Sequence, residues 1–152
     1  MDATIRPARA EDAATVAAVH NRSRAQAFRG RIADEVLDNF EPLELKWAEY
    51  FDAPDGRVYL AEVDGEAVGI AYGVPGERTE LRNLYLLEEA AGNGISEQLL
   101  DAVVHPGEPA FLWVADFNER AQAFYTKQGF AFDGEETHHA GDGVTLKRMV
   151  RG

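Results

Sequence analysis

Two glycines, Gly92 and Gly94, lie between a strand-like run and an amphipathic helix, and this spacing favours a binding place for an anion. The first turn of a helix has backbone N–H groups without partners, and their dipoles sum to a partial positive charge. Glycine removes the side chain where a phosphate would approach the backbone, and it allows dihedral angles that other residues avoid. A plain strand-to-helix turn with no ligand can have the same sequence, so the glycine pair alone indicates function only weakly.

Strands and helices must position this turn, and the rest of the chain supplies both. Strand-like runs are predicted at seven places and helices at four or five. The predicted strands are 5–8, 57–63, 67–74, 80–87, 110–115, 130–138 and 144–150, and the predicted helices run from 10 to about 23, once or twice within 24–51, from 95, and from 118 to 128. This order predicts a mixed sheet covered by helices, an α+β or mixed α/β domain spanning residues 1–152.

Short signals mark several boundaries. Asp64-Gly65 predicts a hairpin, and Glu41-Pro42 predicts a break between two helices of an aromatic-rich segment that includes Phe40. A last hairpin is expected across Gly141-Asp142-Gly143. The continuous apolar run 110–115 predicts a strand in the middle of the sheet, covered on both faces.

Composition limits the function classes. With 152 residues, 45% hydrophobic and 28% charged, the chain is expected to form one globular domain. It has no apolar run of roughly 18 residues, no signal-like N-terminus and no cysteine, so we expect a soluble, cytoplasmic protein away from membranes. A net charge of −12 argues against nucleic acid and suits cationic partners, although acidity can also serve solubility alone. His20, His138 and His139 lack the spacing of a metal site, so no metal is expected.

Two motifs in the correct order resemble the GCN5-related N-acetyltransferase (GNAT) family over nearly the whole chain. The first is Leu84-Tyr85-Leu86 leading into Gly92-Asn93-Gly94-Ile95, and the second is Asn118, Ala121, Tyr125 and Gly129-Phe130, which is similar to the pattern N-x-x-A-x-x-x-Y-x-x-x-G-F. The resemblance implies a central, mostly antiparallel sheet of about seven strands flanked by about four helices. A V-shaped splay between the fourth and fifth strands would admit the pantetheine arm of acetyl-coenzyme A (acetyl-CoA).

The resemblance also implies which residues contact that co-substrate. Backbone groups of the strand that ends in Leu86 would hold the pantetheine arm, and the glycine loop would hold the pyrophosphate. The cofactor-binding residues implied are Leu84, Tyr85, Leu86, Gly92, Asn93, Gly94, Ile95, Ser96, Glu97, Asn118, Ala121 and Tyr125.

The implied activity is direct transfer of an acetyl group to a primary amine of a small molecule, peptide or protein, with no cysteine available for an acyl-enzyme. Tyr125 matches the family's proton donor, since a phenol of pKa about 10 can protonate a thiolate whose conjugate acid has pKa near 8.5. Glu80 is the candidate base, and strand alternation predicts that it shares a face with Arg82, Leu84 and Leu86. Glu80 could instead only pair with Arg82, and Asn118 could orient the cofactor or only cap its helix.

The chain departs from the family pattern at two places in the loop. Ala91 and Ser96 occupy positions that usually hold arginine or glutamine and glycine or alanine. Glu88, Glu89 and Glu97 would also repel a diphosphate, so cofactor affinity should be reduced unless Arg82, Arg120 or Lys127 compensates. The alternative function is a catalytically weak ligand-binding or interaction module with this fold. The N-terminal third, with Arg22, Arg24, Phe28 and Trp47, would shape the acceptor site, and the family's habit of pairing suggests a homodimer.

Overall fold

The computed structural model describes residues 2–38, 43–52, 55–139 and 143–152, which form one seven-stranded sheet with helices on both faces. The elements closely follow the predicted order. They are β1 Thr4–Pro7, α1 Ala13–Phe28, α2 Asp34–Asp38, α3 Leu43–Phe51, β2 Arg57–Val63, β3 Glu66–Val74, β4 Thr79–Leu86, α4 Ile95–Val103, β5 Ala110–Ala115, α5 Glu119–Lys127, β6 Ala131–His138 and β7 Thr145–Arg151.

The strand order is β1-β2-β3-β4-β5-β7-β6, and each neighbouring pair is antiparallel except β4 and β5. These two parallel strands pair only from Thr79 to Leu81, opposite Ala110 to Leu112. Beyond Leu81, within the part of the chain that the structure describes, the two strands diverge and their facing edges lose their ladder. This confirms the predicted splay between the fourth and fifth strands.

Local signals account for several boundaries. Asp64 and Gly65 both have positive φ, 52° and 81°, as a two-residue hairpin turn with the twist of its strands requires. Helix α1 runs five residues beyond its predicted end near Ser23, because good helix formers continue to Phe28. It ends just before Gly30, which is left-handed with φ 86°. Phe40, the Glu41-Pro42 break and the turn residues Gly141-Asp142 lie outside the described residues.

Alternation along the strands divides the core into two layers. Leu60 and Ile70 point to one face, where they pack with α1 and α3. Their neighbours Ala61 and Ala71 point to the other face. That second layer contains the buried side of α4, including Leu99, together with residues of α5 and β7. Helices α1 and α3 therefore cover one face of the sheet, and α4 and α5 cover the other.

Strand β5 lies between β4 and β7, as predicted, but the expectation that both of its faces are covered is wrong. Ala110, Leu112 and Val114 are buried against the α4 and α5 layer, whereas Phe111 and Trp113 remain half-buried. The continuous apolar run at residues 110–115 therefore does not indicate that helices cover both faces of β5. On the second face, Trp113 borders an open cavity instead of a helix. No helix in the described ranges is long and apolar enough to cross a membrane.

Candidate active site

A cavity of about 1030 Å³ opens where β4 and β5 diverge. Its wall draws on α1 and α3 from one face of the sheet, on the start of α4 and on α5 from the other face, and on both diverging strands. The cavity therefore passes through the plane of the sheet. Such a shape can admit one ligand from each side and bring their ends together at the opening between the strands.

A β-bulge in β4 decides which side chains face each half of the cavity. The register changes between the pairs Tyr72–Asn83 and Gly73–Leu81, so Arg82 is an extra residue. An extra residue shifts the alternation of every side chain beyond it. Arg82 consequently lies 6.0 Å from the ring centre of Tyr72, on the α1 and α3 face.

The bulge overturns one prediction about Glu80. Leu84 and Leu86 pack against the α4 layer, whereas Glu80 is hydrogen-bonded to Arg82 on the opposite face. The expectation that all four residues share one face is therefore wrong, because it assumed unbroken alternation. Glu80 still lines the cavity, at the half bordered by α1 and α3.

Glu80 and Arg82 form an ion pair at this wall. Arg82 Nε donates to Glu80 Oε1 at 2.9 Å, and the Glu80 side chain is 25% exposed. The hydrogen bond from Arg82 to the Glu80 carboxylate raises the pKa of Arg82 above its usual value. Glu80 Oε2 has no hydrogen-bond partner among the described residues. A carboxylate oxygen is therefore available at the cavity wall, beside a permanent positive charge.

The glycine loop has the backbone geometry of an anion site. Gly92 and Gly94 are left-handed, with φ 84° and 75°, and Gly94 is the N-cap of α4. No side chain in the described part of the chain caps this helix, so N–H groups of its first turn are open. A Cβ atom added at Gly92 would have no neighbour within 4 Å, and a Cβ atom added at Gly94 would contact only Glu97 Oε2, at 3.8 Å. Both positions therefore favour glycine because of their left-handed backbone conformation and not because a side chain would collide with its surroundings.

The predicted loop residues do not all reach the cavity. Asn93 Nδ2 donates to the carbonyls of Ala90 and Ala91 at 3.3 and 3.2 Å, so its side chain holds the loop together and does not line the cavity. The remaining predicted residues of the loop and of β4 do line it. They are Leu84, Tyr85, Leu86, Gly92, Gly94, Ile95, Ser96 and Glu97.

The charges around the loop are more balanced than the sequence suggests. Glu89 is paired with Arg22 at 3.3 Å, which leaves Glu88 and Glu97 on the cavity wall. Helix α5 contributes Arg120 and Lys127 to the same wall. The cavity as a whole is lined by five lysine or arginine side chains and three glutamates, in a chain with a net charge of −12.

Helix α5 brings the second predicted motif to the splay. Asn118 Oδ1 accepts from the Ala121 N–H at 3.1 Å, which confirms the predicted N-cap. Gln122 Nε2 donates to the carbonyl of Ala115 at 2.9 Å and fixes the start of the helix to the end of β5. Asn118, Ala121 and Tyr125 all line the cavity.

Tyr125 has the environment of a proton donor. Its side chain is 9% exposed, and its ring packs between Phe124 and Phe130. Burial, and secondarily the nearby Tyr85, raises the pKa of Tyr125 above its usual value. Its hydroxyl makes no hydrogen bond to any described residue, although it borders the cavity. The phenol is therefore protonated at neutral pH and has a hydrogen to give to a ligand.

Sequence reasoning missed His20 as part of the site. His20 Nδ1 accepts from Trp47 Nε1 at 3.3 Å, and its ring stacks on Tyr85 with centroids 4.8 Å apart. Burial, with smaller contributions from Arg24 and Lys46, lowers the pKa of His20 to about 4. His20 is therefore neutral at pH 7, and its Nε2 carries the proton.

Two helix faces form the wall around His20, and their spacing was visible in the sequence. All but one of the residues of α1 that line the cavity recur at i, i+3, i+4, i+7 and i+8, and those of α3 recur at i, i+3, i+4 and i+7. They are His20, Ser23, Arg24, Ala27 and Phe28 from α1, with Asn21 outside this spacing, and Leu43, Lys46, Trp47 and Tyr50 from α3. In the described ranges, no cluster of three histidine, aspartate or glutamate side chains could hold a metal ion.

The splayed sheet, the open helix terminus and the buried phenol agree with what comparison with known proteins finds. The chain belongs to the acetyltransferase (GNAT) family, whose model matches residues 18–130, and it is thus an acyltransferase of the N-acetyltransferase type. An uncharacterized N-acetyltransferase of Mycobacterium tuberculosis is 32% identical over 154 residues, covering 91% of this chain and 99% of the relative.

Solved structures share the fold at lower identity. The PaiA N-acetyltransferase of Thermoplasma acidophilum, solved in complex with coenzyme A, has a TM-score of 0.76 at 20% identity and covers 97% of this chain and 98% of its own. A GCN5-related N-acetyltransferase of Rhodopseudomonas palustris also has a TM-score of 0.76, at 21% identity, covering 100% of this chain and 96% of its own.

Proposed function

We propose that this N-acetyltransferase binds acetyl-CoA and a primary amine in the same cavity and transfers the acetyl group directly between them. The observation that carries the proposal is the Tyr125 hydroxyl, which is protonated, borders the cavity where the strands diverge and has no partner among the described residues. A thiolate leaving the thioester is the partner that fits a donor of this kind.

The loop and β4 supply complementary contacts for acetyl-CoA. Open N–H groups at the start of α4 suit its pyrophosphate, with Arg120 and Lys127 adding positive charge. Beyond Leu81, the edge of β4 that faces β5 pairs with no other strand among the described residues, so its backbone groups can bond the amides of the pantetheine arm. The Thermoplasma relative, which binds coenzyme A, has the same fold.

The proposed chemistry places acid and base on opposite faces of the sheet. Glu80 takes a proton from the incoming ammonium, directly or through water, and the neutral nitrogen attacks the thioester carbon. The N–C bond forms and the C–S bond breaks as Tyr125 gives its proton to the departing sulfur. The nitrogen then loses its second proton to solvent, Glu80 releases the first one there, and Tyr125 regains a proton from solvent, so one proton is released for each amide formed. Arg82, held by Glu80, stays charged throughout.

Thermal unfolding with and without acetyl-CoA tests the binding step. A ligand at 100 times its Kd stabilises the folded state by about 2.7 kcal/mol, which for a domain of this size raises Tm by roughly 5–10 °C. Thiol release across a panel of amines then tests transfer. If millimolar acetyl-CoA leaves Tm unchanged, the proposal fails. A shift without turnover of any amine would favour the alternative, a ligand-binding module of this fold.

A matched pair of variants locates the bound pyrophosphate. Ser96→Glu adds a negative charge in the first turn of α4 at the cavity wall, whereas Gln98→Glu adds the same charge to the exposed side of the same helix, away from the cavity. The first variant should lose most of the acetyl-CoA shift and the second should keep it. Equal shifts in both variants would place the pyrophosphate elsewhere.

A further inference from the structure

We propose that the amine acceptor also carries an anionic group, such as the carboxylate of an amino acid, next to an apolar or aromatic body. This inference rests on the proposed function and specifies its substrate class. It concerns the half of the cavity bordered by α1 and α3, which lies across the sheet from Tyr125 and the glycine loop. Charge and an aromatic wall in that half support it.

Charge in this half is opposite to what a polycationic acceptor needs. Arg24 of α1, Lys46 of α3 and Arg82 of β4 line it, and the carboxylate of Glu80 is already paired with Arg82. Arg24 and Lys46 also act together on His20, whose pKa they help to lower. A wall with three cations and one carboxylate, in a protein of net charge −12, favours an anion at this place and disfavours a second or third ammonium.

The remaining wall is aromatic and can pack a flat or apolar body. The His20 ring stacks on Tyr85, and Trp47 packs edge-on against both His20 and Tyr50 at centroid distances of 5.9 and 5.2 Å. Aromatic rings can also attract ammonium groups. In this wall the guanidinium of Arg82 already lies over the neighbouring ring of Tyr72, so a cation of the protein occupies the position that an ammonium group of the substrate would take on that ring.

The test compares amino acids with the amines that lack only their carboxylate. Phenylalanine is paired with phenethylamine, tryptophan with tryptamine and leucine with isopentylamine, and spermidine represents polycations. We expect the carboxylate to raise kcat/KM by about fivefold or more in at least one pair, as one or two partly exposed ion pairs would. The preference should shrink as salt is raised from 20 to about 500 mM. Amino acid binding is also measured without turnover, as a further rise of Tm in the presence of coenzyme A.

Three single lysine variants separate the two ends of the cavity. Lys46→Gln should raise KM for the amino acid severalfold and leave KM for acetyl-CoA unchanged, whereas Lys127→Gln should do the reverse. Lys147→Gln, which removes the same charge on β7 outside the cavity, should change neither.

The outcomes distinguish this inference from the proposed function. If acetyl-CoA gives no Tm shift, the proposed function itself fails. If acetyl-CoA binds and amines are acetylated, but the decarboxylated amines or spermidine react as well as or better than every amino acid, only this inference is overturned. A Lys46→Gln variant with an unchanged preference for the carboxylate would overturn it equally.

Discussion

Replacing Tyr125 with phenylalanine should slow acetyl transfer strongly and leave folding almost unchanged. The ring contacts to Phe124 and Phe130 remain, at centroid distances of 5.5 and 5.9 Å. The lost hydroxyl has no partner among the described residues, so its removal breaks no internal hydrogen bond. We therefore expect the free energy of unfolding to change by less than about 0.5 kcal/mol.

The catalytic effect should be much larger. Loss of a positioned general acid typically costs about 10²–10⁴ in rate, which corresponds to roughly 2.7–5.4 kcal/mol of transition-state stabilisation. The assay is thiol release at saturating acetyl-CoA, with Kd for acetyl-CoA measured separately and expected to stay within about twofold. Tyr59→Phe is the matched control, because Tyr59 packs against the same core layer but does not line the cavity.

The pH profile adds a second criterion. Burial raises the pKa of Tyr125 above its usual value, so the protonated, active form persists as pH rises through 10. We therefore expect the kcat of the wild type to stay constant between about pH 8 and 10, apart from any decrease that Tyr125→Phe shows equally. A decrease that occurs in the wild type and is absent from Tyr125→Phe would show that the phenol ionises normally. A Tyr125→Phe enzyme as fast as wild type would remove Tyr125 from the mechanism altogether.

Two further predictions concern cofactor affinity and stability. Ala91→Arg places a cation at the mouth of the glycine loop and should tighten acetyl-CoA binding by about 5–10-fold at low salt. The affinity is measured by titration, with Ala91→Gln as the uncharged control. An unchanged affinity would mean that residue 91 does not lie beside the bound pyrophosphate. Glu108→Gln should lower the free energy of unfolding at pH 7 by about 1 kcal/mol, because Arg57 holds the Glu108 carboxylate through two hydrogen bonds of 2.7 and 3.2 Å at a partly exposed site. The Arg57 hydrogen bonds lower the pKa of Glu108 from 4.5 to about 2. The stabilisation is therefore fully present well above pH 4.5, decreases between pH 4.5 and 2 and is lost below about pH 2. Urea unfolding of both proteins at pH 7 and 2.5 checks whether the difference becomes smaller at the lower pH.

Features that depend on a few adjacent residues were predictable from the sequence. The Asp64-Gly65 turn, the Asn118 cap and the strand boundaries follow from dihedral preferences and hydrogen bonds within a few positions. The family resemblance supplied the splay, which the strand pairing confirms, and it also supplied the roles of the loop and of Tyr125, which stay predictions. The turn, the cap, the strand boundaries and the splay were predictable because local chemistry or a shared pattern is enough to specify them.

The acceptor half of the cavity was not predictable in the same way. The hydrogen bond from Trp47 to His20 joins residues 27 positions apart, and the stack of His20 on Tyr85 joins residues still farther apart. Helical spacing shows that His20, Arg24 and Phe28 share a face, but not that this face borders a cavity instead of a core. Only the divergence of β4 and β5, a property of the whole sheet, creates that distinction.

The bulge at Arg82 links the fold to the proposed chemistry. Unbroken alternation would place Glu80 on the same face as Leu84 and Leu86, which is also the face of Tyr125. The extra residue moves Glu80 to the opposite face, beside α1 and α3, while the strand farther on still presents Leu84 and Leu86 to α4. A candidate base and a candidate acid can then act from opposite sides of a thioester carbon lying in the opening between the strands. One inserted residue in β4 thus determines whether the two groups face separate ligands or compete for the same side.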